Sequence, residues 1–148
     1  MKPVRDFIIQ AEGGEPPRAR LFSQGALVGT VYGSVLEAQF QFRGGYLILT
    51  RDGLVSGDSL HVALLDTQRR PMDFISLGPV EGGSVRELRA AGPESLSFQF
   101  GGEERWQLMV MEVPRRAYSD DSMIRYPGAG AMVKHRLKLE VTAAAGAL

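Results

Sequence analysis

Hydrophobic and polar positions along this chain alternate far more often than they recur at helical spacing. In Glu37–Arg43, Ala38, Phe40 and Phe42 are interleaved with Glu37, Gln39, Gln41 and Arg43. A period of two sends successive side chains to opposite faces, so this segment predicts a strand with one buried face. Tyr46–Thr50 is short and almost wholly apolar, the composition of a strand covered on both faces. Leu60–Leu65 and Met72–Leu77 flank Asp66–Pro71, which reads as a hairpin with a longer loop. Leu96, Phe98 and Phe100 alternate with Ser95, Ser97 and Gln99, and Gly101–Glu104 then predicts a turn into a strand over Arg105–Met111. Near the C-terminus, Val133, His135, Leu137, Leu139 and Val141 fall on one face and Lys134, Arg136, Lys138 and Glu140 on the other.

Glycine punctuates these segments. Of 18 glycines, eight stand in the pairs Gly13-Gly14, Gly44-Gly45, Gly82-Gly83 and Gly101-Gly102, each between strand-like stretches. Pairs in such places allow the chain to reverse through positive φ angles. Neither G-x-G-x-x-G nor G-x-x-x-x-G-K-[ST] occurs, so the glycines do not form a phosphate loop. One segment competes for helix: Ser84-Val85-Arg86-Glu87 matches a capping box, with Gly92 and Pro93 as stop signals. Its apolar stripe would consist of Val85 and Leu88 alone, too thin to seek a core, so we read it as a strand. Ser34–Glu37 carries the same ambiguity.

The pattern as a whole predicts an all-β chain, a single antiparallel β-sandwich or barrel of about eight to ten strands with at most one or two short helices. Residues 1–148 read as one domain, with a local break at Glu15-Pro16-Pro17 and a frayed tail over 143–148. Asp58-Ser59-Leu60 and Glu94-Ser95-Leu96 each open a hairpin, but 148 residues are too few for a propeller with blades of about 40 to 45 residues.

Composition narrows the function classes. The 17 basic and 17 acidic side chains cancel, and hydrophobic residues make up 44%. That balance excludes intrinsic disorder and removes the charge excess with which a nucleic-acid binder attracts phosphates. Cysteine is absent, so disulfides, thiolate metal ligands and cysteine nucleophiles are absent too. The apolar run near the N-terminus is too short for a signal segment, and no stretch of about 18 apolar residues could span a membrane. We therefore expect a cytoplasmic protein that binds neither nucleic acid nor membrane. The basic residues are 14 Arg against Lys2, Lys134 and Lys138, and Asn does not occur, which leaves no acceptor for N-glycosylation. Arginine bias suits bidentate carboxylate recognition, but the reading we favour is GC-rich bacterial coding sequence.

Candidate chemistry is sparse. His61 and His135 could share a metal with Asp120 or Asp121, but no H-x-H or H-E-x-x-H spacing supports it, so we expect structural histidines and no metal. Asp120-Asp121-Ser122 lies in the longest stretch without a strand pattern, Pro114–Gly130, and its side chains suit loop capping. Neither an EF-hand pattern nor a G-x-S-x-G elbow is present. The same stretch concentrates Arg115, Arg116, Tyr118, Asp120, Asp121, Arg125 and Tyr126. Arg and Tyr are enriched in interface hot spots, which makes this loop the candidate partner-binding surface. The competing reading is a crossover between sheets, with Tyr118 and Tyr126 tucked onto the core edge. Lys134, Arg136 and Lys138 could meet an acidic partner, although one charged strand face more often protects an edge. Trp106 could stack on a sugar, although its alternation with Leu108 and Val110 points to the core.

These features predict a module that binds another protein, with no cofactor and no catalytic residue of its own. An edge strand offers it a route to a homodimer. A small-ligand or carbohydrate-binding domain using Trp106, Tyr118 and Tyr126 is the alternative. A hydrolase or metal-dependent enzyme built on Asp120, Asp121 and a histidine ranks third.

Overall fold

In the computed structural model the described residues are 1–54, 56–119, 121–128 and 133–142. They form thirteen strands and no helix: β1 (Lys2–Pro3), β2 (Phe7–Gly13), β3 (Arg18–Ser23), β4 (Ala26–Tyr32), β5 (Val35–Phe42), β6 (Gly45–Arg51), β7 (Asp58–Leu65), β8 (Pro71–Val80), β9 (Val85–Gly92), β10 (Ser95–Phe100), β11 (Arg105–Arg115), β12 (Ile124–Arg125) and β13 (His135–Thr142). The strands make three antiparallel sheets. The central sheet has the order β1-β5-β6-β7-β8-β12, the N-terminal sheet β2-β3-β4, and the C-terminal sheet β13-β11-β10-β9. None closes into a barrel. The all-β reading holds, while the barrel alternative and the lower strand number do not. The capping-box segment is strand β9, the expected tail over 143–148 lies outside the described residues, and the break at Glu15–Pro17 is the β2–β3 turn.

Strands β6 and β7 explain the arrangement. Leu47 and Leu49 of β6 and Leu60, Val62 and Leu64 of β7 face a core shared with Phe98, Trp106, Leu108, Leu137 and Leu139 of the C-terminal sheet. Tyr46, Ile48, Ala63 and Leu65 point the other way, into a second core with Phe7, Ala19, Leu21 and Val31 of the N-terminal sheet. A strand buried on both faces has no polar face to alternate with, which is why Tyr46–Leu49 is a continuous apolar run. Each fully buried Leu or Ile here contributes about 1.5–3 kcal/mol of burial energy. Gly45 holds the edge of this region at φ +146°, where an added Cβ would lie 1.9 Å from the Leu65 carbonyl oxygen.

The N-terminal sheet is attached to the central one partly through a side chain. Gln39 Oε1 accepts from the backbone N–H groups of Asp6 and Phe7, both at 2.8 Å, while Nε2 donates to the Phe7 carbonyl at 3.0 Å. The amide thereby occupies the place of a neighbouring strand. On the other side, Asp73 of β8 clasps β13. Its carboxylate accepts from the His135 ring at 2.6 Å and from the Arg136 and Leu137 backbone N–H groups at 2.8 and 3.0 Å. The polar atoms that would otherwise be orphaned at the β8–β13 seam are thus satisfied.

Candidate functional site

The 114–127 segment closes the open edge of β13. The Tyr126 hydroxyl donates to the Leu137 carbonyl at 2.7 Å and accepts from the Tyr118 N–H at 3.1 Å, and its ring stacks on His135 with centroids 4.0 Å apart. Burial pushes the Tyr126 hydroxyl pKa upward, which keeps it a donor. Ser119 Oγ donates to the Leu139 carbonyl at 2.8 Å and accepts from the Leu139 N–H at 3.2 Å. Asp121 caps the following turn, accepting from Met123 N–H at 2.9 Å, and β12 then pairs with β8. Arg125, exposed, donates to Ser59 Oγ at 3.1 Å. Side chains here do what an adjacent strand would do for an edge. Tyr118 and Tyr126 are half-buried in this cover. Arg115, whose guanidinium lies over the Tyr118 ring at 5.5 Å, and Arg116 remain exposed. Asp120 lies outside the described residues.

A groove of about 370 Å³ runs beside this segment, lined by Tyr118, Ser119, Asp121, Ile124 and β13 residues from Lys138 to Val141. Trp106 reaches its floor, but only 5% of the residue is exposed and it belongs to the core. Its ring cannot serve as an open stacking platform. Val133 and Val141, expected on the buried face with His135, Leu137 and Leu139, are exposed instead.

A larger cleft of about 540 Å³ opens where the central and C-terminal sheets part. Its apolar wall consists of Phe42, Leu64, Met72, Val110 and Met111, with Arg43, Glu94, Glu112 and Arg136 among them. The cause is an irregularity in β11. Val110 still pairs with Leu137, but the register resumes only at Arg115 opposite His135. Pairing with β10 has already ended at Met109 opposite Ser95, one residue before the Val110 N–H donates to the Glu94 carbonyl at 3.0 Å. Met111–Pro114 therefore arches out with no register partner on either side. Arg136 spans the gap, its guanidinium donating to the Glu112 carbonyl at 3.2 Å. None of Arg43, Glu94, Glu112 and Arg136 forms an ion pair among the described residues. Val113 is 60% exposed on the arch and Met72 48% exposed beside it.

The two histidines serve the fold on opposite faces of the central sheet. His135 pairs with Asp73, whose cross-strand neighbour Leu64 faces the C-terminal core. His61, next to Ala63 in alternation, faces the N-terminal side and sits 5.9 Å from the Tyr32 ring. A metal shared by both is therefore geometrically impossible, and no group of three His, Asp or Glu among the described residues could hold one. His61 does complete a Ser–His–Asp chain: Nδ1 lies 2.6 Å from Ser76 Oγ and Nε2 2.7 Å from Asp52 Oδ1. Burial lowers the His61 pKa, against the opposing pull of Asp52. Ser76 is 0% exposed in mid-strand, so this chain has no route to a substrate and acts as a buried polar clasp.

Comparison with protein-family models, curated proteins and solved structures finds no match for this chain. Sequence reasoning missed the cleft residues because they come from five strands and two turns. The strands carrying Phe42, Leu64, Met72, Val110 and Arg136 were each legible, but not their convergence.

Proposed function

We propose that the protein is a partner-binding module without catalytic chemistry of its own, and that its contact surface is the cleft with the β11 arch and the adjoining Arg115 and Arg116. The observation that carries this reading is the arch: a projecting strand segment with exposed Val113, next to an apolar wall rich in Met and Phe and ringed by uncompensated charge. Interface cores have this composition, with Met, aromatic and Arg side chains enriched over the rest of a surface. The 114–127 loop contributes through its exposed arginines, while Tyr118 and Tyr126 hold it in place.

The test is site-specific photo-crosslinking in cells that produce the protein. A benzophenone side chain at Val113 should trap one defined protein, and the adduct should disappear when Met72→Glu is added. The same group at Arg89, on the charged edge strand β9, should trap nothing in common with it. Equal adducts from both positions, or an adduct insensitive to Met72→Glu, would refute the reading.

A second reading keeps the cleft and changes its occupant. Its volume lies in the range of small-ligand sites, about 300–1,000 Å³. A thermal-shift screen against sugars and metabolites tests it, because a specific ligand raises the midpoint by mass action. A midpoint rise lost in Met72→Glu would favour this occupant over a protein.

A further inference from the structure

Resting on the partner-binding reading, we propose that the occupant of the cleft is an extended peptide segment of the partner, added as a short strand beside Met111–Val113. One apolar side chain of that segment enters between Phe42, Leu64 and Met72. Three features point to it.

First, Met111–Val113 belongs to β11 yet has no register partner on the β10 side or the β13 side. On the β13 side it is a bulge between the Val110–Leu137 and Arg115–His135 pairs, and on the β10 side it runs past the end of its neighbour. That leaves an edge for a further strand, since backbone groups give affinity in such additions and alternate side-chain pockets give selectivity. Second, an added strand places every other side chain toward the same face, about 6.6 Å apart at 3.3 Å per residue. The apolar wall of the cleft begins at Val110 and Met111, directly beside the arch, so one such side chain reaches it. Third, Arg43 and Arg136 stand with Glu94 and Glu112 around this wall, and none is ion-paired among the described residues. A segment carrying both an acidic and a basic residue next to its apolar anchor complements them, whereas a strand of one charge sign meets repulsion. Pro114 lacks an N–H and ends the template, which limits the added strand to a few residues.

The probe is a displayed library of random heptapeptides, selected on the full chain and measured as labelled peptides by fluorescence anisotropy. Selected peptides should share one apolar position, and alanine there should abolish binding. Met72→Glu should weaken binding at least tenfold. Val113→Pro, which removes a backbone donor, should do the same, whereas Val113→Ala should change binding less than threefold. Variants are compared only where their thermal midpoints stay within a few degrees of wild type, and Met72→Lys replaces Met72→Glu should the latter unfold. Absence of any selected peptide, peptides that bind Met72→Glu as well as wild type, or equal losses for Val113→Ala and Val113→Pro would overturn the proposal. So would self-association of the free chain that Met72→Glu abolishes, because a second copy would then be the occupant. If selection fails while crosslinks from Val113 still trap a partner, only the extended-peptide inference falls; if both fail, the binding reading falls with it.

Discussion

Asp73 shows how much of this fold rests on single polar residues. It lies 62 residues before His135 in the chain, and its carboxylate satisfies the imidazole and two backbone N–H groups of β13 at once. Removing one partner of a buried, hydrogen-bonded pair costs about 3–5 kcal/mol. Asp73→Asn should therefore destabilise the protein by that amount in urea denaturation, whereas the exposed Asp121→Asn should cost less than about 1 kcal/mol. His61 gives a pH dependence. Burial holds its pKa below the ordinary 6.5, so the folded protein resists the proton that the unfolded chain takes up. The stability this confers is complete above pH 6.5 and is lost as the pH falls from there toward the folded value, at up to about 1.4 kcal/mol per pH unit. Unfolding free energies of wild type and His61→Gln, measured from pH 7.5 to 5, should show the smaller acid-side loss in the variant; parallel curves would contradict it. That both histidines are structural was legible from their apolar strand neighbours. Their partners Asp52, Ser76 and Asp73 were not, because strand pairing brings them together from distant positions.

At the scale of elements, alternation located most of β5, β10, β11 and β13, since one buried face imposes a period of two. Strands β6 and β7 were legible as apolar runs covered on both faces, and β8 as the second arm of a hairpin. The third sheet went unread. Register shifts leave Glu12 in β2 and Val28 in β4 as extra residues that break the period there. In β3 the buried Ala19, Leu21 and Ser23 alternate with Arg20 and Phe22 over too short a run, with Phe22 adding an apolar residue on the outer face. The loop over 114–127 was recognised as exceptional, and its placement on the β13 edge follows from Ser119 and Tyr126 substituting for a strand. Tyr126→Phe should accordingly cost about 0.5–1.5 kcal/mol and accelerate hydrogen exchange at the Tyr118 amide, which loses its acceptor. Unchanged protection there would show that the hydroxyl does not hold the segment. Gly45→Ala should be far more damaging, because its Cβ would overlap the Leu65 carbonyl in the middle of the molecule.

Across the whole molecule, part of the charge is neutralised in pairs, such as Arg20 with Glu12, Arg69 with Asp6 and Arg105 with Glu87. The cleft gathers both signs, outside any ion pair among the described residues, around an apolar wall. A rival surface exists on the N-terminal sheet, where Ile8, Phe22 and Leu27 form one cross-strand row with Ile8 67% and Leu27 61% exposed. A smaller cleft of about 330 Å³ adjoins Leu27 at one end of that row, and its two arginines, Arg69 and Arg70, are ion-paired with Asp6 and Asp66, unlike the charges around the larger cleft. The most direct test of the binding surface is hydrogen exchange on the full chain, alone and saturated with the protein trapped from Val113. The account predicts new protection over 111–116 and 42–44, with the Ile8, Phe22 and Leu27 strands unchanged. Protection confined to β2–β4 or to β9, with the arch exchanging as freely as before, would contradict it.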